Sequence, residues 1–259
     1  SIPNPNSTTA QHGASGNNRK GTRMNILALA EAWWAQHSIH LDPEPEGERH
    51  GSIGVATNQT TPLRFVTVGD SMIAGCGVDN QAQGFTPDMA AEFSNILNKP
   101  IDWEAHGKLG ATMRRVRYRL LPEVHGTADL LILCAGSNDL MARRSLAEWK
   151  TDLAATLDEA QAISDNIIVF SAAQLYRSPS LGASLRKVIE TMTDDQTKAS
   201  KTICSQKGAL FLDMTHEDIH TDQARFYAHD RFHPSDYGYR YMAKQVGTLI
   251  GPWLKERLG

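Results

Sequence analysis

The sequence predicts a three-layer α/β domain on a mostly parallel sheet, and three observations carry that reading. Short continuous apolar runs recur along the chain, stretches of helical apolar period lie between them, and no internal repeat interrupts the alternation. Continuous apolar runs suit strands buried on both faces. Strands that alternate with helices are the pattern of a parallel sheet covered by helices on both sides. The chain has 259 residues, 41% apolar and 21% charged. At roughly 100–200 residues per domain, that is one large domain or two small ones, and the pattern contains no second core. A chain of this length needs neither disulfide nor metal to hold a core.

The elements follow in order. Residues 1–23 are rich in Ser, Thr, Asn, Gly and Gln without an apolar period, and are expected to be disordered. Residues 24–62 read as an N-terminal extension. Within it Met24 to His37 has an amphipathic helical period, with the Trp33–Trp34 pair expected to dock it on the domain or to serve as a lid. Asp42 to Gly51 is acidic, Pro-containing and loop-like. Met24 could also be the native start. The main domain is expected over 63–259. Its strands are predicted at Leu63–Val68, Ile101–Ala105 (the weakest), Leu130–Ala135, Asn166–Phe170 and Ala209–Leu212. Helix faces are predicted from Met89, Phe93, Ile96 and Leu97, then from Leu146, Trp149, Leu153 and Leu157. Leu185, Val188, Ile189 and Met192 make another, and the longest stripe runs from Tyr239 through Met242, Ala243, Val246, Leu249 and Ile250 to Trp253. These stripes are read as core-facing surfaces. Arg114, Arg115, Arg117 and Arg119 are read as the solvated face of a helix.

Composition narrows the function classes. The net charge is −3, so no global basic field gathers nucleic acid or an anionic membrane. No apolar run reaches the roughly 18 residues of a membrane span. Three cysteines, Cys76, Cys134 and Cys204, make no disulfide framework and contain no CxxC pair. The cysteine usage and the lack of a visible signal peptide point to a cytoplasmic protein; a secreted protein whose leader has been removed also fits. The oligomeric state is left open.

Ligands of open parallel sheets bind at the carboxyl ends of the strands, so the residues after each apolar run matter most. After the first come Gly69-Asp70-Ser71, and after the second His106-Gly107-Lys108-Leu109-Gly110. After the third come Gly136-Ser137-Asn138-Asp139, and near the C-terminus His229-Asp230-Arg231-Phe232-His233. Each has a bland reading. Ser71 could be a helix N-cap, Asn138 likewise, Gly110 a turn glycine and Cys76 packing. Asp230 and His233, spaced i,i+3, can meet, and a carboxylate beside an imidazole fixes its tautomer.

Taken in order, the four blocks resemble those of the SGNH (GDSL-like) hydrolase superfamily of serine esterases and lipases, over Leu63 to about Leu254. The resemblance implies a flavodoxin-like α/β/α fold. It also implies Ser71 as nucleophile, His233 as general base and acid, and Asp230 as its orienting carboxylate. The oxyanion hole would be the N–H of Ser71, the N–H of Gly110 and the side-chain amide of Asn138. In the family an Asn often precedes the second block's glycine; here His106 and Gly107 occupy that stretch, which leaves Gly107 as a competing donor. The implied activity is hydrolysis of small-molecule, lipid or carbohydrate esters through an acyl-enzyme, with no cofactor and no metal. Acyl transfer by the same residues is the alternative. A non-catalytic binding module and a metal-dependent phosphoesterase are weaker ones, the latter with His229, His233, Asp70 and Asp230 as ligands. Neither GxSxG, GxxxxGK[ST] nor GxGxxG occurs, which disfavours the α/β-hydrolase, P-loop and dinucleotide folds.

Overall fold

The computed structural model describes residues 27–29, 31–32, 39–54 and 60–259. The expected disorder of 1–23 and the Trp33–Trp34 contact lie outside the described residues. Among the described residues, six strands form one sheet: β1 (His50–Ile53), β2 (Leu63–Gly69), β3 (Ile101–Gly107), β4 (Leu130–Cys134), β5 (Ile167–Phe170) and β6 (Leu210–Leu212). Their spatial order is β1-β3-β2-β4-β5-β6, with every pair parallel except β1 against β3. Without β1, the remaining strands have the flavodoxin-like order 2-1-3-4-5.

Helices cover both faces. On one lie α1 (Phe85–Leu97) and α4 (Asp236–Leu258); on the other lie a helical segment over 113–123, α2 (Leu146–Ala160) and α3 (Ala183–Lys207). The strand pleat explains why the apolar runs are continuous. Leu130 and Ile132 of β4 face α1 and α4, while Leu131 and Leu133 face the opposite layer. Ile168 and Phe170 of β5 divide from Ile167 and Val169 in the same way. Alternate side chains point to opposite faces, so a strand covered on both sides is apolar at every position.

Helix ends follow local chemistry. Ser145 and Glu148 form a capping box at the start of α2, and Ser235 caps α4 through the Gly238 N–H. Gly208 ends α3 in the left-handed conformation, at φ 73°.

Three expectations need correction. The stretch Asp42–Gly51, read as loop, runs into a strand: β1 pairs antiparallel with β3, His50 opposite Glu104 and Ile53 opposite Ile101. Its residues HGSI are short, and its sides are exposed or half-buried, so the apolar signal of a buried strand is missing. Leu146 and Leu249, read as core-facing, are exposed: Leu146 is the first residue of α2, and Leu249 lies off the line of the buried Val246, Ile250 and Leu254. The Arg face is solvated at Arg114, Arg115 and Arg119, but Arg117 forms an ion pair with Glu159 of α2 at 2.8 Å. The three cysteines are free and buried, and burial pushes the thiols of Cys76 and Cys204 up to about 12. Among the described residues, no helix is long and apolar enough to cross a membrane.

Candidate active site

The sheet reverses its strand order between β2 and β4, and such a switch point leaves a crevice at the strand ends. Ser71 follows β2 there and Asn138 follows β4. The chain leaving β2 turns sharply. Asp70 donates its N–H to the Cys134 carbonyl at 3.0 Å, and the N–H groups of Ile73 and Ala74 return to the Asp70 carbonyl at 3.1 and 2.9 Å. The Met72 N–H goes to Asp70 Oδ1 at 3.1 Å. Ser71 is thus the one residue of 70–74 whose N–H has no partner among the described residues. Asp70 is buried, and burial pushes its carboxyl up to about 7 against the Met72 hydrogen bond.

His233 reaches Ser71 from 162 positions away in the chain. Its loop is held by Ala228 N–H to the His233 carbonyl at 2.8 Å and Ser235 N–H to the Phe226 carbonyl at 2.7 Å. Asp230 shapes the turn, its Oδ1 accepting the N–H groups of Phe232 and His233 at 2.9 Å each. Its Oδ2 accepts His233 Nδ1–H at 2.7 Å and the Asp42 N–H at 3.0 Å. A carboxylate only accepts, so the imidazole proton sits on Nδ1, and Nε2 is the acceptor that faces Ser71 Oγ at 3.0 Å. Partial burial raises the Asp230 pKa. The hydrogen bonds from His233, Asp42 and Phe232 outweigh that and hold the carboxyl well below the usual range.

The third and fourth groups come from two adjacent loops. Asn138 Nδ2 donates to the Ala111 carbonyl at 2.9 Å, which fixes the amide and leaves its second N–H free among the described residues. The neighbouring Asp139 accepts the Met113 N–H at 3.1 Å; burial pushes its carboxyl up to about 6. These two bonds tie the loop after β3 to the turn after β4. Gly110 lies in that loop at φ 83°, with open space where a side chain would be. Its N–H has no partner among the described residues. Gly107 is different: it is the last residue of β3, and a Cβ there would lie 2.1 Å from the Ala74 nitrogen.

The predicted residues Ser71, Asp230 and His233 therefore meet, and Gly110 and Asn138 frame the same rim. The four-ligand metal arrangement does not assemble. His229 is turned to solvent, with Nε2 2.8 Å from Asp42 Oδ1, while His233 is buried against Ser71. The sequence reading missed the parts played by Asp42 and Asp139. Asp139 could have been found, since it adjoins Asn138 in the same block. Asp42 acts through its backbone N–H, which carries no sequence signal.

A model of the GDSL-like lipase/acylhydrolase family matches residues 67–241, which contain Ser71, Gly110, Asn138, Asp230 and His233. The chain belongs to that family. Comparison with curated protein sequences finds no match. Among solved structures, the GDSL-like chain resembles a psychrotrophic esterase from Pseudoalteromonas sp. at 17% identity and a TM-score of 0.57, covering 74% of this chain and 98% of the other. An acetylxylan esterase from Geobacillus stearothermophilus aligns at 18% identity and a TM-score of 0.53, covering 75% and 97%. A lipase/acylhydrolase from Enterococcus faecalis aligns at 19% identity and a TM-score of 0.54, covering 76% and 97%. At such identities the likeness is one of fold, and it agrees with the three-layer, mostly parallel architecture of this GDSL-like hydrolase.

Proposed function

We propose that the protein is a serine-dependent carboxylic ester hydrolase in which Ser71 is the nucleophile, His233 the general base and acid, and Asp230 its orienting carboxylate. The observation that carries this reading is the hydrogen-bonded line from Asp230 through His233 to Ser71, at 2.7 and 3.0 Å. His233 Nε2 takes the Ser71 proton as Oγ bonds to the ester carbonyl carbon, and the carbonyl oxygen becomes an oxyanion. Collapse expels the alcohol, which takes the proton from Nε2, and leaves the acyl group on Ser71. Water then repeats the sequence: Nε2 takes its proton as its oxygen bonds to the acyl carbon, and the Ser71–acyl bond breaks as Nε2 returns that proton to Oγ, which releases the acid and restores the free serine. Asp230 stays ionised throughout and stabilises the imidazolium.

The donors to the oxyanion in this reading are the N–H groups of Ser71 and Gly110 and the free amide N–H of Asn138. All three lack another partner among the described residues. Gly110 is preferred to Gly107 because Gly107 lies within β3, packed against the turn that carries Ser71. Donors of this kind contribute roughly 10²–10³ each to turnover, because they act where charge develops.

The test is labelling by a fluorophosphonate together with hydrolysis of short p-nitrophenyl esters, with and without chelator. Wild type should react with the probe and hydrolyse the esters regardless of chelator, and Ser71→Ala should do neither. A Ser71→Ala protein keeping more than a few per cent of wild-type kcat would refute the nucleophile. Activity lost in chelator and restored by zinc or manganese would refute the mechanism.

A further inference from the structure

Residues 42–49 lie outside the matched stretch 67–241, yet they bond to three of the loops that build the site. At the start, the Asp42 N–H donates to Asp230 Oδ2 at 3.0 Å. Two residues on, Glu44 Oε2 accepts the Leu109 N–H at 3.3 Å and lies 3.4 Å from Lys108 Nζ. Its Oε1 accepts from Arg49 Nη2 at 2.8 Å, and Arg49 Nη1 donates to the Gly107 carbonyl at 2.8 Å. Gln81 makes the third link. It is buried, and its Nε2 donates to the Pro45 carbonyl at 3.0 Å and to the Ala74 carbonyl at 2.8 Å. Ala74 belongs to the turn that carries Ser71.

The local sequence suits a strap. In Asp42-Pro43-Glu44-Pro45 each proline fixes its own φ and holds the residue before it in the extended region. Such a segment loses little entropy when it is ordered. Glu44 is held as a carboxylate. Partial burial raises its pKa, but the hydrogen bonds from Arg49 and the Leu109 N–H outweigh that and keep it below the usual range.

We propose that residues 42–49 form a strap that sets the loop after β3 against the triad, and that Glu44 is the positioning residue that keeps the Gly110 N–H in place to receive the oxyanion. The proposal rests on the esterase reading above. A glycine surrounded by open space has no packing to hold it, and in this reading its N–H must stay free for substrate. The loop must therefore be fixed through its neighbours. The Lys108 N–H bonds to the Gly69 carbonyl at 3.1 Å and the Ala111 carbonyl accepts from Asn138 at 2.9 Å, one on each side of Gly110. Glu44 holds the residue directly before it. A donor displaced by about 1 Å can cost about 10² in rate.

The experiment measures kcat and KM on p-nitrophenyl butyrate for wild type, Glu44→Ala, Glu44→Gln, Ser145→Ala and Ser71→Ala, each well below its melting temperature, with amide hydrogen exchange over residues 107–111. Glu44→Ala should lower kcat by about tenfold or more with KM within about twofold, because the loop acts on the transition state. Exchange over 107–111 should quicken, since the Leu109 N–H loses its acceptor. Glu44→Gln keeps one acceptor where two are used, so its kcat should fall by at least about threefold, and it decides the matter if Glu44→Ala does not fold. Ser145→Ala removes the capping box of α2, away from the site, and should lose about 1 kcal/mol of stability with kcat unchanged. Wild-type kcat in the Glu44 variants, a loss confined to KM, or an equal kcat loss in Ser145→Ala would overturn the positioning role. Failure of the esterase reading looks different: no ester is hydrolysed, or hydrolysis persists in Ser71→Ala, and the exchange rates then decide whether Glu44 holds the loop.

Discussion

Replacing Asp230 by Asn removes one charge and one of two doubly used acceptors. Oδ1 holds the N–H groups of Phe232 and His233, and Oδ2 holds His233 Nδ1–H and the Asp42 N–H. An amide can accept at only one of these two places. If its NH₂ takes the Oδ2 place, His233 must accept at Nδ1 and carry its proton on Nε2. That proton then faces Ser71, and the base is lost. If the NH₂ takes the Oδ1 place, the two backbone donors of the turn face amide protons, and the loop that presents His233 loosens. In the first case the Asp42 N–H loses its acceptor, and in the second the N–H groups of Phe232 and His233 lose theirs, at roughly 1–3 kcal/mol each. The expected stability loss is therefore about 1–6 kcal/mol, and the expected fall in kcat is about 10⁴, the size seen when a triad carboxylate is neutralised in other serine hydrolases. That factor corresponds to about 5.4 kcal/mol of activation free energy. The assay is kcat on a short p-nitrophenyl ester at pH 7–8, paired with urea unfolding. Asp230→Asn retaining more than about a tenth of wild-type kcat would refute the argument, because it would mean that the carboxylate neither fixes the tautomer nor supports the imidazolium.

Three further outcomes are expected. Asn138→Ala should lower kcat by roughly 10²–10³ and change KM little, since an oxyanion donor acts in the transition state; a large KM rise at normal kcat would make Asn138 a substrate-binding group instead. Gly107→Ala should displace the turn that carries Ser71, because its Cβ would sit 2.1 Å from the Ala74 nitrogen and 2.4 Å from the Ile73 carbonyl carbon. A shift of about 1 Å there should reduce kcat by about 10², whereas Gly110→Ala meets open space and should cost only about 1–2 kcal/mol of backbone strain at φ 83°; kcat ranked the other way round would reverse the two assignments. Stability should peak at mildly acid pH. Burial raises Asp70 and Asp88 to about 7 and Asp139 to about 6, so their contribution is complete below the unfolded value near 4 and is lost as pH rises through 6–7. Asp230 is lowered, so its contribution is present above about pH 4 and is lost as pH falls further. Thermal melts should therefore give a higher Tm at pH 5 than at pH 8.5, with a smaller difference in Asp70→Asn; a flat Tm across that range would contradict the burial argument.

The sequence alone determined five of the six described strands, most of the helices and the chain order of the four polar blocks. Strands buried on both faces must be apolar at consecutive positions, and Leu130–Cys134 and Ile167–Phe170 announce themselves for that reason. The blocks were legible because Ser71, Gly110 and Asn138 lie directly after apolar strands, where local pattern and site coincide. Only the tertiary structure decided what lies against them. β1 is half exposed, so its pairing with β3 leaves no apolar trace. Asp42 reaches Asp230 through a backbone N–H that any residue but proline could supply. The side-chain amide of Gln81 meets the Pro45 carbonyl, 36 positions away in the chain. Backbone donors and acceptors are the same at every residue, so what they meet is set by how the chain packs, and the sequence records only the side chains.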